Sequence, residues 1–280
     1  MPLVNVIIPV YNRPDQLKRA VKSVITQTFS DFDIWIINDG STDNTGDAIQ
    51  KIIKENPDKS IYCIKTSNRG VSAARNTGIA NSDGKYIALL DSDDEWLPEK
   101  LRTQIDYLQK NPETELVHTG EIWIRNGIRV NPPLKYRKYG GDVFIQSLPL
   151  CMIGPSTAVF TRSLFNSTGA FREDFPVCED YDFWLRATSV YKTALIDKPL
   201  TIKYGGHADQ LSVKYKAMDY WRVLSMYSVS GNYNLDAEKK TALKREIIKK
   251  SQILLKGYKK YGNQTKYNEI DSILKKIRGI

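Results

Sequence analysis

Four short apolar runs, separated by stretches of helical periodicity, constrain this chain more than any other feature. Residues 3–10, 33–38, 61–65 and 86–90 are too short for helices and apolar enough for buried strands. After the first run, Pro14 opens a segment where Leu17, Ala20, Val21, Val24 and Ile25 form a stripe at helical spacing. A second helix is expected to stop near Glu55, before Asn56-Pro57, and a third to span Val71 to Ala80, ended by Asn81-Ser-Asp-Gly84. The order β-α-β-α-β-α-β with short links predicts a parallel sheet with right-handed crossovers. Pro9 is expected to end the first strand's ladder.

The fourth run, Tyr86–Leu90, delivers Asp91, Asp93, Asp94 and Glu95 in quick succession. Open α/β sheets place their ligand crevice at the carboxyl ends of the strands. Asp91 and Asp93 are two apart, so on extended chain they point the same way and can share one hard cation. A solvated acidic turn before a helix near Pro98 is the other reading of this stretch alone. No Gly-x-Gly-x-x-Gly follows the first strand and no phosphate loop of the Gly-x-x-x-x-Gly-Lys-Ser/Thr type occurs, so the common nucleotide signatures are absent.

A chain of 280 residues accommodates one large α/β domain with appendages or two small ones. No apolar run approaches the roughly 20 residues that span a bilayer, and the amino terminus lacks the basic start of a signal peptide. Cys63, Cys151 and Cys178 have no metal-ligand spacing, which predicts a reduced, cytoplasmic protein. Only His118 and His207 are present, which argues against a histidine-based zinc site. The net charge of +9 is concentrated at the end: residues 231–280 carry 13 Lys/Arg against 5 Asp/Glu. Helices are expected at about 214–229, 236–261 and 265–279. On the middle one, Leu243, Ile247, Leu254, Tyr258 and Tyr261 make one apolar stripe. That stripe either packs on the rest of the chain or lies on an anionic membrane. No base-reading motif accompanies the charge, so nucleic acid is not an expected partner.

In the second half a helix over 98–110 and a strand over 115–124 are predicted. The basic, aromatic segment 125–142 reads as a loop long enough to serve a ligand.

The stretches Val6–Asn12, Ile36–Asp43, Asn68–Asn76 and Leu90–Asp94 together resemble the family 2 glycosyltransferases of the GT-A fold, in the family's order. The resemblance implies an α/β fold of GT-A type, with a mostly parallel Rossmann-like central sheet flanked by helices and a helical C-terminal extension. It implies a catalytic domain over 1–212 (nucleotide-binding half 1–97, acceptor-binding half 98–212) and a basic helical extension over 213–280. The implied activity is transfer of a sugar from a UDP-sugar donor to a hydroxyl of a glycan or lipid-linked acceptor. Inversion and a Mn²⁺ or Mg²⁺ ion come with it.

Residue roles follow by matched position. Pro9 and Tyr11 resemble the lip that holds the nucleobase, and Asp39 the carboxylate that accepts from the uracil N–H. Arg75 matches a basic position near the nucleotide, Asp91 a ligand of the ribose or of a metal-bound water, and Asp93 the direct metal ligand. Gly154, Pro155 and Ser156 resemble the floor of the sugar pocket. Glu179-Asp180 resembles the second carboxylate motif, which would make Asp180 the catalytic base with Glu179 in support. Trp184, four residues on, is expected on the same helix face, where it would stack on a sugar. His207 resembles a histidine that reaches the metal or the diphosphate. Peripheral contact of the tail (236–280) with the inner face of a membrane is a further expectation. The rival readings are a nucleotidyltransferase making the activated sugar, which would carry a Gly-rich first loop that Pro9–Arg13 is not, a donor other than a UDP-sugar, and a non-catalytic sugar-nucleotide-binding or carbohydrate-binding descendant of a transferase, against which both carboxylate pairs stand intact.

Overall fold

The computed structural model describes residues 1–206 and 215–279. Strands β1 (Val4–Val10), β2 (Phe32–Asn38), β3 (Ile61–Lys65) and β4 (Tyr86–Leu89) alternate with helices α1 (Pro14–Ile25), α2 (Thr45–Glu55) and α3 (Val71–Ala80). These strands pair in parallel in the order β3-β2-β1-β4. Every residue of β1 is buried, as a central strand covered on both faces requires.

Strand β1 runs through Pro9 to Val10, in register with Ile37 and Asn38, and so outlasts the proline. The β4 ladder ends where Leu90 N donates to the Ile7 carbonyl. Two residues on, Pro9 faces that same side, where no partner strand remains to miss its N–H.

Beyond β4 the sheet continues through β8 (Ala158–Thr161), β6 (Leu116–Arg125), β9 (Ala194–Gly205) and β5 (Glu95–Trp96). Only β6 and β9 pair in parallel here. The mostly parallel sheet thus holds for the first half, and the second half is mixed. The loop expected over 125–142 begins as a hairpin instead, with β7 (Ile128–Val130) returning on β6. Asn126 and Gly127 at its tip both take positive φ, 50° and 76°, the pattern of a tight two-residue hairpin turn.

One face of the sheet is covered by α1, α2 and α4 (Lys100–Lys110), which bring Leu17, Ile49 and Ile105 against Val6 and Ile8. The other carries α3, α6 (Arg162–Thr168) and α7 (Glu179–Val190), around Ile7, Ile37 and Phe160. Helix α3 is made of small residues because it lies close to the sheet. A Cβ on Gly78 would stand 2.6 Å from Ile7 Cγ2.

The tail forms α8 (Asp219–Asn232), α9 (Ala237–Lys260) and α10 (Gln264–Arg278), with α5 (Phe144–Ser147) beneath them. Leu243, Ile247, Leu254 and Tyr258 pack inward with Tyr181 and Leu185 of α7. The apolar stripe therefore faces the protein. Tyr261 departs from it: α9 ends at Lys260, and Tyr261 lies just past the last turn, 79% exposed. No helix among the described residues is long and apolar enough to cross a membrane.

Candidate active site

The carboxyl ends of the parallel strands deliver Tyr11, Asp39 and the acidic turn after β4 to one edge of the sheet. A cleft of about 1090 Å³ opens there, with Arg75, Glu179 and Asp180 also in its wall. A volume of that order suits a nucleotide-sized ligand with a second molecule beside it.

On the first side, Pro9 and Tyr11 reach the mouth from the end of β1, and Tyr11 is 43% exposed. Asp39 is buried and pins the loop ahead of α3. Its Oδ1 accepts from Arg69 N (2.9 Å) and Thr66 Oγ1 (3.3 Å), and its Oδ2 from Gly70 N (2.8 Å).

The acidic segment is not extended. It turns, with Asp94 N donating to the Asp91 carbonyl at 2.9 Å, so the carboxylates diverge. Asp91 Oδ1 meets Arg75 Nη2 at 2.7 Å, while Asp93 Oδ2 meets Arg13 Nη1 at 2.7 Å. Asp94 folds beneath them, accepting from Ser156 Oγ (2.6 Å) and Tyr204 N (3.3 Å). Burial, reinforced by the charges of Asp93 and Asp91, pushes its carboxyl well above the usual range.

The second carboxylate pair opens α7. Cys178 precedes it in the left-handed region, φ 63°, and turns the chain so that Glu179 and Asp180 enter the first turn. Glu179 is buried and its Oε1 meets Arg75 Nη1 at 2.8 Å. Burial and the charge of Asp180 push Glu179 up to about 7, with Arg75 opposing them. For Arg75 itself burial favours the neutral form, but the charges of Asp91 and Glu179 outweigh it and hold the guanidinium charged. Asp180 faces the cleft. Its Oδ2 takes a weak S–H donation from Cys151 at 3.4 Å, and its Oδ1 accepts from Tyr181 N at 2.7 Å.

Three expectations need correction or limits. Trp184 does not reach the cleft: it is 2% exposed, with ring centroids 5.7 Å from Phe160 and 4.9 Å from Phe183. Helix α7 has the sheet on one side and the tail on the other, so a residue one turn beyond Asp180 is swallowed by the core. Ser156 is also buried. Rather than meeting a sugar, its Oγ accepts from Asp91 N (3.1 Å) and donates to Asp94, fixing the acidic turn from below. Gly154 and Pro155 do line the cleft. His207 lies outside the described residues.

The cleft also contains groups that sequence reasoning passed over. Glu121, on β6, pairs with Lys138 at 3.3 Å and accepts from Trp123 Nε1 at 2.7 Å. Lys203, on β9, is held charged by Glu121 and Asp94 although burial opposes it. Trp221 and Arg222 of α8 form part of the far wall; Trp221 packs on Phe175 with centroids 5.1 Å apart. Inward alternation along β9 would have found Lys203. Nothing local marks Trp221, whose placement depends on how α8 packs on α7.

No group of three or more His, Cys, Asp or Glu able to hold an ion occurs among the described residues. Two carboxylates on one turn are nevertheless the oxygen donors a hard divalent cation takes when a ligand's phosphates complete its shell. Asp91 and Asp93 point to different partners and so do not form a shared site of that kind; each stands in the cleft wall as a single carboxylate.

The profile of glycosyl transferase family 2 matches residues 5–167. An uncharacterized glycosyltransferase of Rickettsia conorii is 37% identical over 198 residues, covering 71% of this chain and 32% of its own. The chain thus spans about a third of that relative's length. An Escherichia coli protein named UDP-Glc:alpha-D-GlcNAc-diphosphoundecaprenol beta-1,3-glucosyltransferase WfaP is 34% identical over 229 residues, 78% of this chain and 83% of that one. Among solved structures, Staphylococcus aureus TarS 1–349 in complex with UDP-GlcNAc superposes with a TM-score of 0.78. It covers 98% of this chain and 81% of TarS at 17% identity, a likeness of fold.

Proposed function

The chain belongs to glycosyltransferase family 2, and on that footing we propose that it transfers a sugar from a UDP-sugar to a hydroxyl of a glycan or lipid-linked acceptor, with inversion. One observation carries the reading. The acidic turn and the start of α7 converge on Arg75, whose guanidinium spans Asp91 and Glu179. Asp180 thereby shares a cleft with the carboxylates suited to a nucleotide.

Tyr11 and Pro9 form the lip for the base, and Asp39 receives the uracil N–H. The uridine preference is supported by the names of the E. coli relative and of the TarS complex. The lipid-linked acceptor is supported by the former. Asp93 would hold Mn²⁺ or Mg²⁺, with Asp91 serving the ribose or a metal-bound water, and the ion when bound offsets charge on the departing diphosphate. Arg75 keeps Asp91 and Glu179 in fixed relation and stays cationic beside them. Asp180 takes the proton from the acceptor hydroxyl as that oxygen attacks the anomeric carbon opposite the leaving group. A single displacement of this kind inverts the centre. Lys203 is a second fixed cation for the negative charge of the donor, and Trp221 offers a ring face to the acceptor.

Thermal unfolding with UDP, GDP, dTDP and CDP, each with and without Mn²⁺, tests the reading. A ligand at 100 times its Kd adds about 2.7 kcal/mol. A Mn²⁺-dependent rise with UDP alone is expected. A rise with another nucleotide instead overturns the uridine donor, and no rise with any overturns nucleotide-dependent transfer.

A further inference from the structure

The charge excess of the tail is not spread evenly around its helices. Along α9, Arg245, Lys249, Lys256, Lys259 and Lys260 are all exposed. At 3.6 residues per turn they fall on one side, opposite the buried row Leu243, Ile247, Leu254 and Tyr258. Glu246 is the sole carboxylate between residues 239 and 261, and it is buried, with Lys249 at 3.4 Å and Lys250 at 3.5 Å. The outward face is therefore a row of cations on a helix roughly 36 Å long, in which the helix's own sequence offers a carboxylate to Lys249 alone.

One large apolar side chain stands at the edge of that row: Ile253 is 59% exposed, one turn from both Lys249 and Lys256. A single exposed apolar residue is ordinary. Its seat is not, since the helix already buries a complete stripe on its other side, to which Ile253 does not contribute, and a solvated face would gain nothing from it. A nucleic-acid duplex would use the cations, but not the isoleucine. A bilayer surface uses both, taking cations at its headgroup phosphates and aliphatic or aromatic side chains at the acyl boundary.

We propose that the outward face of α9 docks the protein on an anionic lipid surface. Arg245, Lys249, Lys256, Lys259 and Lys260 meet the headgroups, while Ile253 enters the interface. The inward stripe keeps its packing, so docking requires no unfolding of the tail. This rests on the surface of α9 and not on the donor or acceptor reading.

The test is co-sedimentation of the full chain with vesicles of phosphatidylcholine alone and of phosphatidylcholine mixed with phosphatidylglycerol in equal parts. Binding is expected only to the mixed vesicles and falls as salt screens the cations. Each cation removed should lower partitioning roughly five-fold, so K249Q/K256Q/K260Q together should lose on the order of a hundred-fold. Ile253→Ser should weaken binding with the charge intact. All four positions are exposed, so melting temperatures should stay near that of the parent, which separates loss of docking from loss of fold. No binding to the mixed vesicles, or binding unchanged in the triple variant, would overturn the proposal. So would preferential binding of an added DNA duplex that displaces the vesicles, and an unaffected Ile253→Ser would remove the insertion.

Discussion

Arg75 Nη1 lies 2.8 Å from Glu179 Oε1 across 104 residues of chain, and the two side chains are only 3% and 6% exposed. This ion pair fastens the start of α7 to α3, and through Asp91 to the turn after β4. Removing the cation from a buried pair typically costs about 3–5 kcal/mol. Arg75→Met should do so above pH 7, where Glu179 is charged. The loss should shrink near pH 6, because burial and Asp180 then act unopposed and the carboxyl takes up a proton instead. Urea unfolding at both pH values checks this, and equal losses would mean that Glu179 is not the group left stranded.

Asp180→Asn should lower transfer about 10²–10⁴-fold, the usual contribution of a positioned base. UDP binding, followed by calorimetry, should change little, since Asp180 lies on the acceptor side of the proposed reaction. Near-normal turnover would assign the proton transfer to another group.

The two tryptophans beside the site should separate cleanly. Trp184→Ala opens the core between Phe160 and Phe183 and should cost roughly 3–5 kcal/mol. Trp221→Ala should leave stability much less affected and act on the acceptor, raising its KM while UDP binding persists. The reverse pattern would restore Trp184 to the ligand and make Trp221 structural.

The contrast between those residues also marks how far the sequence could be read. Strands β1 to β4 and their helices were readable because each apolar run is long enough to decide its own state, and α3 over Val71–Ala80 matched to the residue. What decided Trp184 was not local. The 3.6-residue period puts it on the face of Asp180, but whether that face meets solvent depends on the sheet, whose Phe160 packs on it from more than twenty residues away. The acidic turn failed for a different reason. Spacing of two implies a shared direction only on extended chain, and the Asp94-to-Asp91 hydrogen bond bends it. Arg75 could be assigned to the site from its motif, yet its bridging of two carboxylates needed the fold.

Acid should weaken the fold through His118. The ring is buried on β6, and Nε2–H donates to the Tyr139 carbonyl at 2.9 Å. Burial and the neighbouring Lys138 bring its pKa down to about 3, against 6.5 ordinarily. Between those values the unfolded chain binds the extra proton, so stability is present above pH 6.5 and drains away as pH falls towards 3. Each unit costs up to about 1.4 kcal/mol. His118→Gln keeps a donor for Tyr139 without titrating, and its urea midpoints at pH 7, 5.5 and 4 should fall less steeply than the parent's. Parallel curves would show that His118 is not held neutral in the fold.

The shared core of α7 and the tail has a consequence for synthesis. Tyr181 and Leu185 leave the ribosome well before Leu254 and Ile273, the residues that complete their cluster. At about 5–20 residues per second, the apolar flank of α7 stays uncovered for on the order of ten seconds after it emerges. During that interval the strands of the first half can already have assembled, leaving a nascent chain with a formed sheet and a sticky helix. A ribosome stalled before α9 would hold a species prone to aggregate, which makes this flank a natural client for a holding chaperone.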